Sequence, residues 1–309
     1  MSTTYNLGLA TQDADLRRAV AEERLGALPS GGVIPATRRV LVAFAVLTLL
    51  ATNQLLVVGA YTDRYFAWTI SVRPTSAFLG AAYAAGFLLS VFALRQHRWR
   101  DVRVALLTVT VFTVLTLVPT VIHLHIFHLR DGDLVARLAA WIWLAIYVVI
   151  PFACLAVVIK QSRQPRRIDP ARRPMPRSLA SLLAVQGGTL FLVGGAMFLG
   201  GARVHHLPEG AMSFWPWRLM PLGAQVIGAW LIALAVAAAL ALAERDLSRL
   251  LVPAVTYTAF GVFQLLVALR YWTDVRPDYQ WGSAYVGLFV SIAATGAYGW
   301  WTAARQSEL

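Results

Sequence analysis

Five of the six histidines fall in two short stretches, His123, His125 and His128, then His205 and His206. Imidazole with carboxylate suits zinc, copper or iron, and haem iron also accepts histidine. Carboxylates predicted on the same side of the molecule are Asp63, Asp131, Asp133, Glu209, Asp274 and Asp278. His125 and His128, at i and i+3, can share a helix face, and His123 lies one turn deeper. These five histidines are the candidate ligands for a transition metal or a haem. The plainer role, common for histidine at a helix end, is hydrogen bonding at the membrane interface.

A second set is uncharged. Thr108, Thr110, Thr113, Thr116 and Thr120 crowd one apolar stretch, and Thr256, Thr258 and Gln264 lie in another. Threonine hydroxyls in apolar helices commonly bond back to their own helix or across to a neighbour. They also suit the wall of a site for a weakly polar molecule. On that reading Thr108, Thr110, Thr116, Thr256, Thr258 and Gln264 are the candidate ligand-binding residues.

Catalytic signatures are missing from the sequence. There is no His-Glu-x-x-His, no Walker loop, no Ser-Gly-His phosphatase core and no Gly-x-Ser-Gly with a partner histidine. Asp131-Gly132 followed by Ala136-Arg137 comes near the start of a CDP-alcohol phosphotransferase motif but has one residue too many and lacks the paired downstream aspartates. The single cysteine, Cys154, excludes an intrachain disulfide and lies inside an apolar run. The sequence therefore leans away from an enzyme.

Eight apolar stretches must position these residues: approximately 40–60, 76–95, 103–124, 138–160, 178–200, 220–243, 250–270 and 282–303. Each meets or nearly meets the ~20 residues a spanning helix needs. The 309 residues are 58% hydrophobic and 14% charged, with mean hydropathy +0.62, which is too apolar for a soluble domain. The expected fold is all-α, an integral membrane bundle of about eight transmembrane helices. The spans carry no Asp, Glu, Lys or Arg near their centres, which argues against a proton-coupled carrier with a midplane carboxylate.

The net charge of +12 comes from loops that flank spans and not from a nucleic-acid-binding face, so no nucleic-acid partner is expected. Arg38 and Arg39 precede the first span; Arg95, Arg98, Arg100 and Arg103 fill the second connection. The fourth holds Lys160, Arg163, Arg166, Arg167, Arg172, Arg173 and Arg177. The odd-numbered connections carry only Arg64 and Arg73, Arg130 and Arg137, Arg203 and Arg218, Arg270 and Arg276. By the positive-inside rule both termini are cytoplasmic and the histidines lie outside. No cleavable leader is expected before the first span, and Asp13 to Leu25 reads as part of a solvated tail.

Shifting the chain by 148 residues places Phe66 on Phe214, Gly80 on Gly228, Ala81 on Ala229, and Thr108, Thr110 and Phe112 on Thr256, Thr258 and Phe260. That shift predicts two parallel four-helix repeats at 39–160 and 178–303, between a tail at 1–38 and another at 304–309. A site between such repeats is a common arrangement. Residues 161–177, rich in Pro and Arg, form the cytoplasmic linker between them and offer charge to anionic lipid headgroups.

Two aromatic and small-residue stretches add a resemblance. Phe66-Ala67-Trp68-Thr69-Ile70 with Ala77-Phe78-Leu79-Gly80-Ala81, and Trp215-Pro216-Trp217 with Pro221-Leu222 and Ile227-Gly228-Ala229-Trp230, resemble a group of polytopic actinobacterial membrane proteins. The resemblance implies a bacterial plasma-membrane location and carries over no activity and no site residue. Three functions are thus open: binding or transport of a small apolar or weakly polar molecule, a metal or haem redox protein, and an accessory subunit packed against a larger membrane complex.

Overall fold

The computed structural model describes residues 31–164, 173–202, 212–276 and 280–305. Eight long helices run through them: α1 Pro35–Thr52, α2 Arg73–Leu94, α3 Trp99–Ile122, α4 Leu134–Ser162, α5 Arg177–Ala202, α6 Pro221–Glu244, α7 Leu251–Arg270 and α8 Gln280–Arg305. The described residues hold three isolated backbone bridges and no extended strand. The first seven helices are long and apolar enough to cross a membrane, as in a multi-pass membrane protein, so their outer faces meet lipid. The last, α8, has 26 residues and no charge before Arg305, but its Gly, Ser, Thr and Tyr content lowers its mean hydropathy. The expected eighth span is therefore long enough without matching the apolarity of the rest. Residues 1–30, with the expected tail segment, and residues 165–172 of the linker lie outside the described residues.

Local signals set the ends. Proline occupies the first turn of α1, α2 and α6, where its missing N–H costs no helical bond. Past its last α-helical turn, α1 continues as a π-turn, Asn53–Val57, closed by Val58 N–H donating to the Asn53 carbonyl at 3.3 Å. Arg245, in the left-handed region at φ 46°, ends α6 and turns the chain sharply towards α7.

The helices form an inner and an outer set. Half to two thirds of α2, α3, α6 and α7 is buried (67, 56, 61 and 50% of their spans), against 28% for α1, α4 and α5. Within the inner set α2 packs on α7 and α3 on α6. Around it α1 packs on α2, α4 on α3, α5 on α6 and α8 on α7. Lipid tails are as apolar as leucine, so these contacts depend on small residues and shape rather than on hydrophobic transfer.

The α5–α6 contact illustrates this. Gly187, Gly194 and Gly201, seven residues apart, form a stripe on α5 that faces Ala238, Gly228 and the Pro221–Gln225 turn of α6. Gly188 and Gly195, their neighbours in sequence, face open space. At one end of the bundle, the chain before α1 bridges the α2–α3 turn (Gly32 with Arg98), and the chain before α5 bridges the α6–α7 turn (Pro174 with Asp246).

Candidate functional site

A cavity of about 70 Å³ opens off the inner helices on the α5/α8 side. Its floor is alanine and glycine: Ala85 and Gly86 of α2, Ala105 of α3, Ala237, Ala238 and Ala241 of α6, Ala254 of α7, and Gly296 and Gly299 of α8. Leu179, Leu183, Leu234 and Phe260 add apolar walls. The site exists because residues on five helices are too small to fill the space between them. Among the described residues no charged side chain lines it.

Its polar residues are few and mostly committed. Thr108 donates to the Val104 carbonyl at 2.8 Å and Thr256 to the Val252 carbonyl at 3.0 Å, each within its own helix. Thr295 accepts from Gln186 Nε2 at 2.9 Å, which ties α8 to α5. Two groups are different: Trp230 Nε1 and the Tyr257 hydroxyl are buried without a hydrogen-bond partner, and both residues line the cavity. A buried donor left unpaired costs about 1–3 kcal/mol, so each marks a place where a ligand oxygen could be accommodated at a gain. Trp230 is held by Phe112 at 4.0 Å between ring centroids and by Tyr83 edge-on at 5.4 Å, an aromatic column that continues through Trp143 to Phe66 and Trp68.

Of the six candidate ligand-binding residues, Thr108 and Thr256 line this cavity. Thr110, Thr116 and Thr258 lie elsewhere on α3 and α7, and their hydroxyls donate to carbonyls one turn back at 2.7, 2.8 and 2.9 Å. Gln264 is fully buried in a structural tie: its Nε2 donates to the Phe78 carbonyl at 3.1 Å, and its Oε1 accepts from Tyr285 at 3.1 Å. It joins α7 to α2 and α8. Trp230, Tyr257, Gly296 and Gly299 were not among the candidate site residues, although Tyr257 is one of the few polar side chains within the spans. The alanine-rich run of α6 and the Gly296/Gly299 spacing are the signals that could have found them.

The histidines fall into separate settings. His123 is 3% exposed, and its Nε2 donates to Gln225 Oε1 at 2.7 Å. Gln225 Nε2 in turn donates to the Phe198 carbonyl at 3.2 Å, so this pair links α3, α6 and α5. His128 Nδ1 donates to the Phe66 carbonyl at 3.0 Å, which leaves Nε2 to accept from Thr69 in the neutral ring. This clamps the loop before α2. His125 is exposed, with its ring 6.2 Å from that of His123. His205 and His206 lie outside the described residues. Among the described residues no three His, Cys, Asp or Glu side chains come together as a metal site. Near the other membrane face, Glu244 of α6 pairs with Arg103 of α3 at 2.8 Å and with Arg249 at 3.3 Å, and Arg249 pairs with Asp246 at 3.1 Å.

No family model, no curated protein and no solved structure matches the chain.

Proposed function

We propose that this chain binds, and passes across the bilayer, a small apolar or weakly polar molecule held in the cavity between two like-oriented four-helix halves of a bacterial plasma-membrane protein. The cavity itself is the observation that carries this reading: a site at bilayer depth with an apolar wall, two unpartnered donors beside it and no charge. Apolar cavities on the order of 150 Å³ stay dry and accept benzene or xenon, so a smaller one suits small or slender molecules.

Several placements support the two halves. A shift of 148 carries α2 and α3 onto 221–242 and 247–270, against α6 at Pro221–Glu244 and α7 at Leu251–Arg270. Phe112 and Phe260, one shift apart, each take a ring from the opposite half, Trp230 at 4.0 Å and Phe78 at 6.2 Å. Gly80 and Gly228, also one shift apart, are where the second helix of each half meets its first. The two cytoplasmic bridges begin three residues before α1 and α5 and end on Arg98 and Asp246, again one shift apart. Four helices per half is an even number, so both halves insert the same way round, with α8 as the eighth span.

The arginine-rich turns put both chain ends and the linker in the cytoplasm. Cys154 is buried, so added cysteines report cleanly. Gln164→Cys should react with an impermeant maleimide only in inside-out vesicles, and Asp131→Cys only in right-side-out ones. Labelling from one and the same side would break the topology. Binding is tested by thermal unfolding in nanodiscs with xenon, against Gly299→Val as the filled-cavity reference, so that effects on the bilayer cancel. Xenon at ten times its Kd should stabilise the native protein over the variant by about 1.4 kcal/mol. Equal shifts in the two proteins would remove the binding reading.

A further inference from the structure

We propose that the occupant of this cavity is the hydrocarbon chain of a membrane amphiphile, and that Gly296 and Gly299 are the residues that admit it; this rests on the binding reading above. Its shape is the first reason. The wall runs from Trp230 to Ala241 along α6 and from Leu250 to Phe260 along α7, which at 1.5 Å per residue is a slot about 15 Å long. A volume of only about 70 Å³ over that length is narrow, the proportion of a chain and not of a fused ring.

The chemistry of the wall is the second reason. The hydroxyl hydrogens of Thr108 and Thr256 are directed at their own helices. Trp230 Nε1 and the Tyr257 hydroxyl are buried, so the surface that the wall presents is apolar.

The third reason is the counterpart of this space in the first half. Trp143 and Tyr147 of α4 and Tyr285 and Phe289 of α8 occupy matching places 142 residues apart. Trp143 packs on the loop aromatics Phe66 and Trp68, and Tyr285 on Trp215 and Trp217. The same shift carries Cys154 onto Gly296 and Val157 onto Gly299. Cys154 sits beside Thr110, as the Gly296 backbone sits beside Thr258, and Thr110 and Thr258 are one 148 shift apart. In the first half Cys154 and Val157 pack with Leu41, Phe44, Leu106 and Val109 into closed core. Two glycines in place of Cys and Val leave the second half open.

Gly299→Val is the suitable filling variant, because a Cβ there meets Ala254 Cβ at 3.5 Å and Leu179 at 3.8 Å, ordinary contact. A Cβ at Gly296 would instead lie 2.5 Å from Thr258 N. The full chain, purified in mild detergent, is examined by native mass spectrometry. The expected result is a retained lipid adduct whose fragment masses identify an acyl or a prenyl chain, reduced at least tenfold in Gly299→Val. Should that variant not fold, Gly299→Ala replaces it and should reduce the adduct part-way. In nanodiscs, dodecane should raise the unfolding temperature of the native protein more than that of the variant. Equal adducts in both proteins overturn the proposal. Xenon that distinguishes the two while dodecane does not overturns the chain and leaves the binding reading standing; if neither distinguishes them, both readings fall.

Discussion

Gly228→Leu should abolish the folded protein, while Gly195→Leu, on the facing helix, should leave it intact. A methyl at Gly228 would lie 2.6 Å from the Gly194 carbonyl oxygen and 2.9 Å from Phe198 N, both backbone atoms that no rotamer change can move. A methyl at Gly194 would lie 2.9 Å from the Gly228 carbonyl. Overpacking a well-packed core costs about 1–3 kcal/mol even when side chains can adjust. Here α5 and α6 must separate, and with them the α5 wall of the cavity. The expected reading is loss of the monodisperse peak on size exclusion and of cooperative unfolding. Gly195 has no atom within 4 Å of the place its Cβ would take. Replacing a mid-helix glycine there stabilises by up to about 1 kcal/mol, because glycine is a poor helix former. Equal behaviour of the two variants would refute the packing of α5 on α6.

Glu244→Gln should be the most damaging single change in the charged network at the α6–α7 turn, costing about 2–3 kcal/mol. Glu244 is 8% exposed and holds Arg103 at 2.8 Å and Arg249 at 3.3 Å. Removing one partner from a buried pair costs about 3–5 kcal/mol, because a charge is left uncompensated. Arg249 is the buried partner and keeps Asp246, which takes the figure below that range. The Arg103 side chain is 37% exposed and contributes less, so Arg103→Ala should cost under about 1 kcal/mol. The consequence extends beyond the pair. Asp246 also accepts from Arg173 N–H at 3.3 Å, and Leu247 N–H donates to the Arg173 carbonyl at 2.9 Å, so this network fixes the chain entering α5. Thermal unfolding of Glu244→Gln, Arg103→Ala and the double variant checks the order. An Arg103→Ala loss as large as that of Glu244→Gln would show the network is not centred on the carboxylate.

Much of the frame was legible in the sequence. Seven of the eight apolar stretches became helices apolar enough to cross a membrane, because crossing depends on a property of ~20 consecutive residues and needs no knowledge of neighbours. The threonines of α3 bond back to their own helix for the same local reason: the partner carbonyl is always four residues away.

What the sequence left open was rotation. In the pairs Gly187-Gly188 and Gly194-Gly195, composition is the same on both sides, and only the docking of α6 decides which member is covered and which faces outward. Thr108 and Thr110 differ in the same way: one lines the cavity and the other lies beside Cys154. The candidate site itself was illegible because it is made by what is missing, glycine and alanine on helices far apart in the chain, such as Gly86 and Gly299. Hydropathy along the chain determined that these helices enter a bilayer. Their mutual rotation, set by side chains as distant in sequence as His123 and Gln225, decided which residues share a cavity.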